Sequence, residues 1–122
     1  MAYEIPGFAY TLESHGDITQ FTAVKVRSDG KVEEASANEN PIAGVAQMPA
    51  DSDLNEPIRI MQTGVSFAVG DSSFNAGETV AVSASDGKFT DSSNHVVGIA
   101  LTACGGDDEL FALLLTSTGD KG

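Results

Sequence analysis

ETVAVSASDGKFTDSSNHVVGIA, residues 78–100, decides the fold, because an earlier stretch, FTAVKVRSDGKVEEASANENPIAGVA at residues 21–46, is built to the same plan. In each, an alternating apolar run leads into one tetrapeptide, Ser28-Asp29-Gly30-Lys31 or Ser85-Asp86-Gly87-Lys88. A polar spacer then leads to Gly-aliphatic-Ala, at Gly44-Val45-Ala46 and Gly98-Ile99-Ala100. The tetrapeptides stand 57 positions apart and the Gly-aliphatic-Ala pieces 54, so the spacers differ by three residues. Each copy is followed by another strand-like run, at 57–62 and 109–115. Self-similarity of this kind predicts two related β units, each a hairpin plus a return strand.

Working outward, the first unit opens cleanly: Thr22, Val24 and Val26 point one way and Lys25 and Arg27 the other, the period of a half-buried strand. Asp29-Gly30 closes a hairpin, since glycine supplies the positive φ that tight turns between twisted strands need. Residues 37–41 are a loop and 42–47 a small-residue strand in which Gly44 permits close backbone approach. After the polar loop 48–56, Ile58 and Ile60 alternate with Arg59 and Met61, and beyond Gly64 the large apolar residues change parity to Val65, Phe67 and Val69. A phase change at a glycine predicts a bulge or bend there. In the second unit Val80, Val82 and Ala84 repeat the first pattern, and Val97, Ile99, Leu101 and Ala103 predict a long strand. The last strand, 109–116, is apolar on both faces, with Leu110, Ala112 and Leu114 on one and Phe111, Leu113 and Leu115 on the other. Such a strand is expected to be covered on both sides.

The fold class expected is therefore all-β: a small barrel or sandwich built from two related β units, with an irregular N-terminal arm. The arm is read over 1–20, the β domain over 21–116 with repeat units at about 21–63 and 78–116, and a flexible tail over 117–122. A chain of 122 residues is sized for one domain and buries enough surface for a real core. Trp is absent, so that core is made of Val, Ile, Leu, Ala and Phe. The arm carries Tyr3, Ile5, Phe8, Tyr10 and Leu12 without regular period, too apolar for a free tail, and is expected to pack on its own domain or on a neighbour.

Charge and chemistry exclude more than they assign. Six basic against eighteen acidic residues, a net charge of −12, argue against binding nucleic acid or an anionic membrane, both of which need clustered Lys or Arg. One cysteine, Cys104, rules out an internal disulfide and a Cys-based zinc site. The start MAYEIPGFAY has no basic region and apolar core of a secretory signal, which suggests a soluble protein made in a cytosol. His15 and His95 sit in polar contexts without a nucleophile beside them. Asp51, Asp53 and Asn55 begin like a calcium loop, but its sixth and twelfth positions are Glu56 and Gln62. No glycine-rich phosphate loop is present, and the expectation is no enzyme, no metal and no cofactor.

Gly44-Val45-Ala46, Gly64-Val65, Ala76-Gly77-Glu78-Thr79-Val80, Asp86-Gly87 and Gly98-Ile99-Ala100 together resemble the tailed-bacteriophage capsid cement (decoration) proteins, over roughly residues 20–115. The resemblance implies a small β protein, often a homotrimer, that binds the outside of the shell made by the major capsid protein. It implies no catalytic residue. The expected location is the capsid exterior of a virion, after synthesis in the host cytoplasm. On that footing Tyr3, Ile5, Phe8 and Tyr10 are candidate capsid contacts, and Phe111, Leu113 and Leu115 candidate subunit contacts, with a two-sided core as the alternative for the second group. The competing function is a carbohydrate- or receptor-binding β module, but binding platforms of that kind expose aromatic rings, and here Tyr occurs only in the leader.

Overall fold

One long strand, β5 (Pro57–Val69), is a wall of two barrels. The computed structural model describes residues 5–35, 42–51, 57–83, 87–93 and 96–116. Before β5 come β1 (Ile5–Glu13), β2 (Ala23–Val26), β3 (Val32–Glu34) and β4 (Gly44–Ala46). After it come β6 (Ser73–Phe74), β7 (Thr79–Val82), β8 (Phe89–Asp91), β9 (Gly98–Ala100), β10 (Cys104–Gly105) and β11 (Leu110–Leu115). No helix occurs among the described residues.

Nine strands form one sheet ordered β3-β2-β4-β5-β11-β9-β7-β8, with β1 paired to β5 off that path. Read from either end, the order is hairpin, return strand, long strand. β4 pairs with β5 at Ile60 and Met61 and β11 pairs with it over 64–69, while β1 pairs over 57–65; β1 therefore holds one edge and β4 and β11 share the other. Each half then closes on itself. Val32 of β3 forms a parallel bridge with Ser14, and His15 N donates to Val32 O at 2.7 Å. Phe89 of β8 forms the matching bridge with Gly70, and Asp71 N donates to Phe89 O at 2.8 Å. The result is two five-stranded barrels, β1-β5-β4-β2-β3 and β5-β11-β9-β7-β8, joined through β5.

The duplication holds residue by residue. Val24 faces Glu34 and Gly44, and Val80 faces Asp91 and Gly98. The Ile18–Ala50 bridge capping barrel 1 has its counterpart in the Phe74–Cys104 pair of β6 and β10. Gly-aliphatic-Ala recurs for a steric reason. A Cβ on Gly44 would strike the Met61 carbonyl oxygen, and one on Gly98 the Leu114 carbonyl oxygen, so each return strand lies too close to its long strand for a side chain.

Each barrel has its own apolar interior. Barrel 1 encloses Val24, Val32, Ala46, Ile58 and Ile60, with Tyr10 and Leu12 packed alongside. Barrel 2 encloses Val80, Phe89, Val97, Ala100, Phe111, Leu113 and Leu115, and this cluster also takes in Ala23, Ala35, Ile42 and Val45 of the first unit. Phe111 is the aromatic hub: its ring meets Phe74 edge-on at 4.9 Å and Phe89 at 6.2 Å.

Three expectations change. The leader is no irregular arm from Ile5 onward: β1 is a nine-residue strand whose register along β5 slips only around Phe8. Pro6 and Gly7 hide that strand in the sequence, because both fall where its register is irregular. The irregularity expected at Gly64 is there, as register slips against β1 opposite residues 61–64, but the inward face of β5 does not change parity. Its barrel-facing residues stay even-numbered, from Ile58 and Ile60 to Ser66 and Ala68, and Val65 and Phe67 are outward residues of a strand passing from one barrel to the next. Gly64, at φ +114, marks that hand-over. Finally, the strand expected over 97–103 is three residues long and turns at Leu101. The three-residue difference between the units falls in spacers whose residues 36–41 and 94–95 lie outside the described ones.

Candidate contact surfaces

β11 decides which apolar residues a partner can reach. Phe111, Leu113 and Leu115, expected at a subunit interface, are 2%, 0% and 2% exposed and already enclosed by barrel 2 of their own chain. Of the opposite parity, Leu110 is 53% exposed and Leu114 half-buried, while the small Ala112 between them is buried. The strand is apolar on both faces, so alternation carries no information about which face is inside. Leu114 belongs to a transverse row, Val65, Leu114, Ile99 and Thr79, running across β5, β11, β9 and β7 on the outer face of barrel 2. Beside that row Phe67 meets Phe21 at 5.7 Å, and Leu101 is also exposed. Sequence reading missed this row, although the half-polar alternation of 79–82 was a signal for it.

The leader residues separate. Tyr3 lies outside the described residues. Ile5 and Phe8 have their backbones in β1, opposite Val65 and Thr63, and their side chains fall outside the described ones. Tyr10 is a structural member of barrel 1. It is half-buried, its hydroxyl donates to Ala43 O at 2.7 Å, and burial raises its pKa above the ordinary 10.0.

Charge is unevenly placed. Three of the six basic residues, Lys25, Arg27 and Lys31, lie on the β2–β3 hairpin of a chain carrying −12. Lys25 pairs with Glu33 at 3.6 Å, Arg27 with Asp29 at 3.7 Å and Lys31 with Glu13 at 3.3 Å. Asp29 Oδ1 accepts from Lys31 N at 3.1 Å, which holds its carboxyl below the usual range, with Arg27 and Lys31 adding to the effect. In the second unit Lys88 sits between Asp107 at 3.0 Å and Asp108 at 2.7 Å, which raises its pKa. Exposed pairs of this type contribute little to stability and mainly fix local geometry.

Nothing among the described residues assembles reaction chemistry. His15 is exposed, Cys104 is buried with its Sγ 3.4 Å from Gly106 O, and no group of three or more His, Cys, Asp or Glu is placed to hold a metal. His95, Asp53 and Asn55 lie outside the described residues. A groove of about 410 Å³ is lined by Gly77, Glu78, Thr79, Asp91, Ser92 and Ser93. Its size suits a ligand, but its lining is polar and acidic, without the apolar wall typical of small-molecule sites.

Against known proteins, a family model for phage cement proteins matches residues 6–115. The chain belongs to the phage cement protein family. As a member of that family it is a structural protein associated with a phage capsid. Its fold is similar to that of the head fiber gp8.5 N base in bacteriophage phi29, with a TM-score of 0.73 and 13% identity over 93% of this chain and 96% of that one. At that identity the likeness speaks for the fold. No curated protein matches the sequence.

Proposed function

We propose that this cement protein binds the outer surface of an assembled, expanded capsid as a homotrimer, contacting the major capsid protein, and stabilises the shell without catalysing a reaction. The observation that carries the reading is the family match over 6–115, which spans both barrels. A protein that binds the assembled lattice and not free capsomers stabilises the lattice by mass action, and bridging neighbouring capsomers adds multivalency. The acidic surface supports the location, since it keeps many copies soluble in the host cytoplasm before assembly and is repelled by packaged DNA.

The capsid contact is assigned to the N-terminal end of β1, with Tyr3, Ile5 and Phe8 as the contacting side chains and Tyr10 as the anchor tying that strand to barrel 1. The subunit contact is assigned to the outer face of barrel 2 instead of to Phe111, Leu113 and Leu115. The test is co-sedimentation with expanded capsids lacking their decoration, alongside unexpanded shells and free capsid protein. Saturable binding to expanded shells with a raised shell melting temperature is the expected result. Equal binding to unexpanded shells, or none to either, would sink the reading.

A further inference from the structure

Barrel 2 plugs into barrel 1 through the tip of a hairpin. Ala23 N donates to the carbonyl of Gly87, in the β7–β8 turn, at 2.8 Å. A Cβ on Gly87 would stand 2.6 Å from Ala23 O and 3.0 Å from Thr22 Cβ, so the tip is wedged against the segment leading into β2. Ala23 and Val45 are fully buried there, in the apolar cluster of barrel 2.

Both parts of this joint occur a second time, and neither is used by the described residues. The slot on barrel 1, residues 21–23, corresponds to Gly77, Glu78 and Thr79 on barrel 2: Phe21 N donates to Ala46 O, and Gly77 N to Ala100 O. On barrel 2 these residues line the open groove, facing Asp91, Ser92 and Ser93. The tip corresponds to Ser28-Asp29-Gly30-Lys31, the same tetrapeptide as at 85–88. Gly30 has φ +86 and Gly87 φ +73, so each tip carries a glycine at positive φ, although the second loop is one residue longer: Val26 and Val32 flank five residues, Val82 and Phe89 six. Where Gly87 is wedged, nothing among the described residues lies within 4 Å of a Cβ on Gly30.

We propose that the Asp29-Gly30 tip of one copy docks in the Gly77–Thr79 groove of another, repeating between chains the joint that holds the two barrels together. Charge permits it. The tip segment 25–31 carries three basic residues, each paired with a carboxylate of its own chain and so presenting no net negative charge to a groove edged by Glu78 and Asp91. The Gly30 carbonyl would accept from Thr79 N as Gly87 accepts from Ala23 N. Docking would also cover the row Thr79, Ile99 and Leu114, whose counterparts Ala23, Val45 and Met61 are buried inside the chain. Tip and groove are different surfaces, so the contact is head to tail and closes into a ring if the rotation allows. The inference rests on the trimer reading only in needing more than one copy.

The test is disulfide trapping with single variants mixed before mild oxidation: Gly30→Cys with Glu78→Cys, the counterparts of Gly87 and Thr22, whose Cβ positions nearly meet inside the chain. Cys104 is 3% exposed and does not compete. A covalent dimer from this mixture, and none from Gly30→Cys with Glu109→Cys, is the expected result. In parallel, light scattering on full-length protein compares wild type with Glu78→Lys and Asp91→Lys, which are expected to weaken self-association tenfold or more; Asp91→Lys should do so at an unchanged melting temperature, whereas Glu78→Lys also loses the hydrogen bond its carboxylate accepts from Asn75 N at 2.8 Å. An oligomeric wild type that gives no covalent dimer and keeps its mass in both Lys variants overturns the joint and leaves the trimer standing. A wild type monomeric at every concentration, with no trapped dimer, overturns both.

Discussion

Gly44 and Gly98 occupy one and the same position in two barrels, each with a carbonyl oxygen of the neighbouring long strand, Met61 or Leu114, where a side chain would begin. The Ile60 and Leu113 side chains crowd the same spot at 2.8 Å in both cases. Alanine at either site must push the strands apart, and each of Gly44→Ala and Gly98→Ala should cost about 1–3 kcal/mol, the usual range for overpacking. Urea melts of the two variants check this. Equal losses are expected, and a neutral effect at either site would mean that the close approach is not tight.

Phe111 is the largest test of which face of β11 is inside. Phe111→Ala should cost about 3–5 kcal/mol, as expected for emptying a buried aromatic site. Leu110→Ala, on a side chain 53% exposed, should leave the melting temperature nearly unchanged. Calorimetry on both variants decides it, and the reverse order would return Phe111 to the surface.

Truncation now predicts the opposite of what an irregular arm would. β1 pairs along β5 over 57–65 and leads into Ser14, the bridge that closes barrel 1. Removing residues 1–13 should therefore unfold barrel 1, seen as loss of β signal in circular dichroism and of slow-exchanging amides in β2 to β4. Retention of both would show that β1 is dispensable.

Tyr10 ties pH to stability. Its hydroxyl donates to Ala43 O and burial raises its pKa, so the folded state holds the proton more tightly than the unfolded chain. That contribution is complete below the unfolded pKa near 10.0 and shrinks as pH rises through and beyond it. Stability should fall above about pH 10 in wild type and less steeply in Tyr10→Phe, which should itself lose about 0.5–1.5 kcal/mol at neutral pH with the hydrogen bond. Parallel slopes in the two proteins would contradict the assignment.

Ser14 offers a gain. Its side chain is buried, and its hydroxyl has no partner among the described residues, while the corresponding position in barrel 2 is Gly70. An unpaired buried hydroxyl costs free energy that alanine does not, so Ser14→Ala should be neutral or stabilising by up to about 1 kcal/mol. A loss of more than that would reveal a hydrogen bond made to another group.

Much of the fold was legible because the repeat carries steric constraints that leave sequence marks. Gly44 and Gly98 mark close approach, and Gly30 and Gly87 mark turns. β1 was not legible, since an apolar segment with Pro6 and Gly7 in it lacks period two even when one edge of β5 holds it straight. The contact residues were harder still. Phe111 and Leu110 are both apolar neighbours in one strand, and only the curl of the sheet assigns one to the core and the other to the surface. The groove beside Thr79 has no motif of its own and emerges only when the two barrels are laid over each other.

A strand that walls both barrels leaves neither half free to exist alone. Barrel 2 has four strands of its own and borrows its fifth, β5, from the barrel before it. Melting either half strips a wall from the other, so the two should lose structure in one cooperative transition, with calorimetric and van't Hoff enthalpies in agreement. For a protein proposed to sit on the outside of a shell, a load on either barrel would be resisted by the unfolding barrier of the entire molecule.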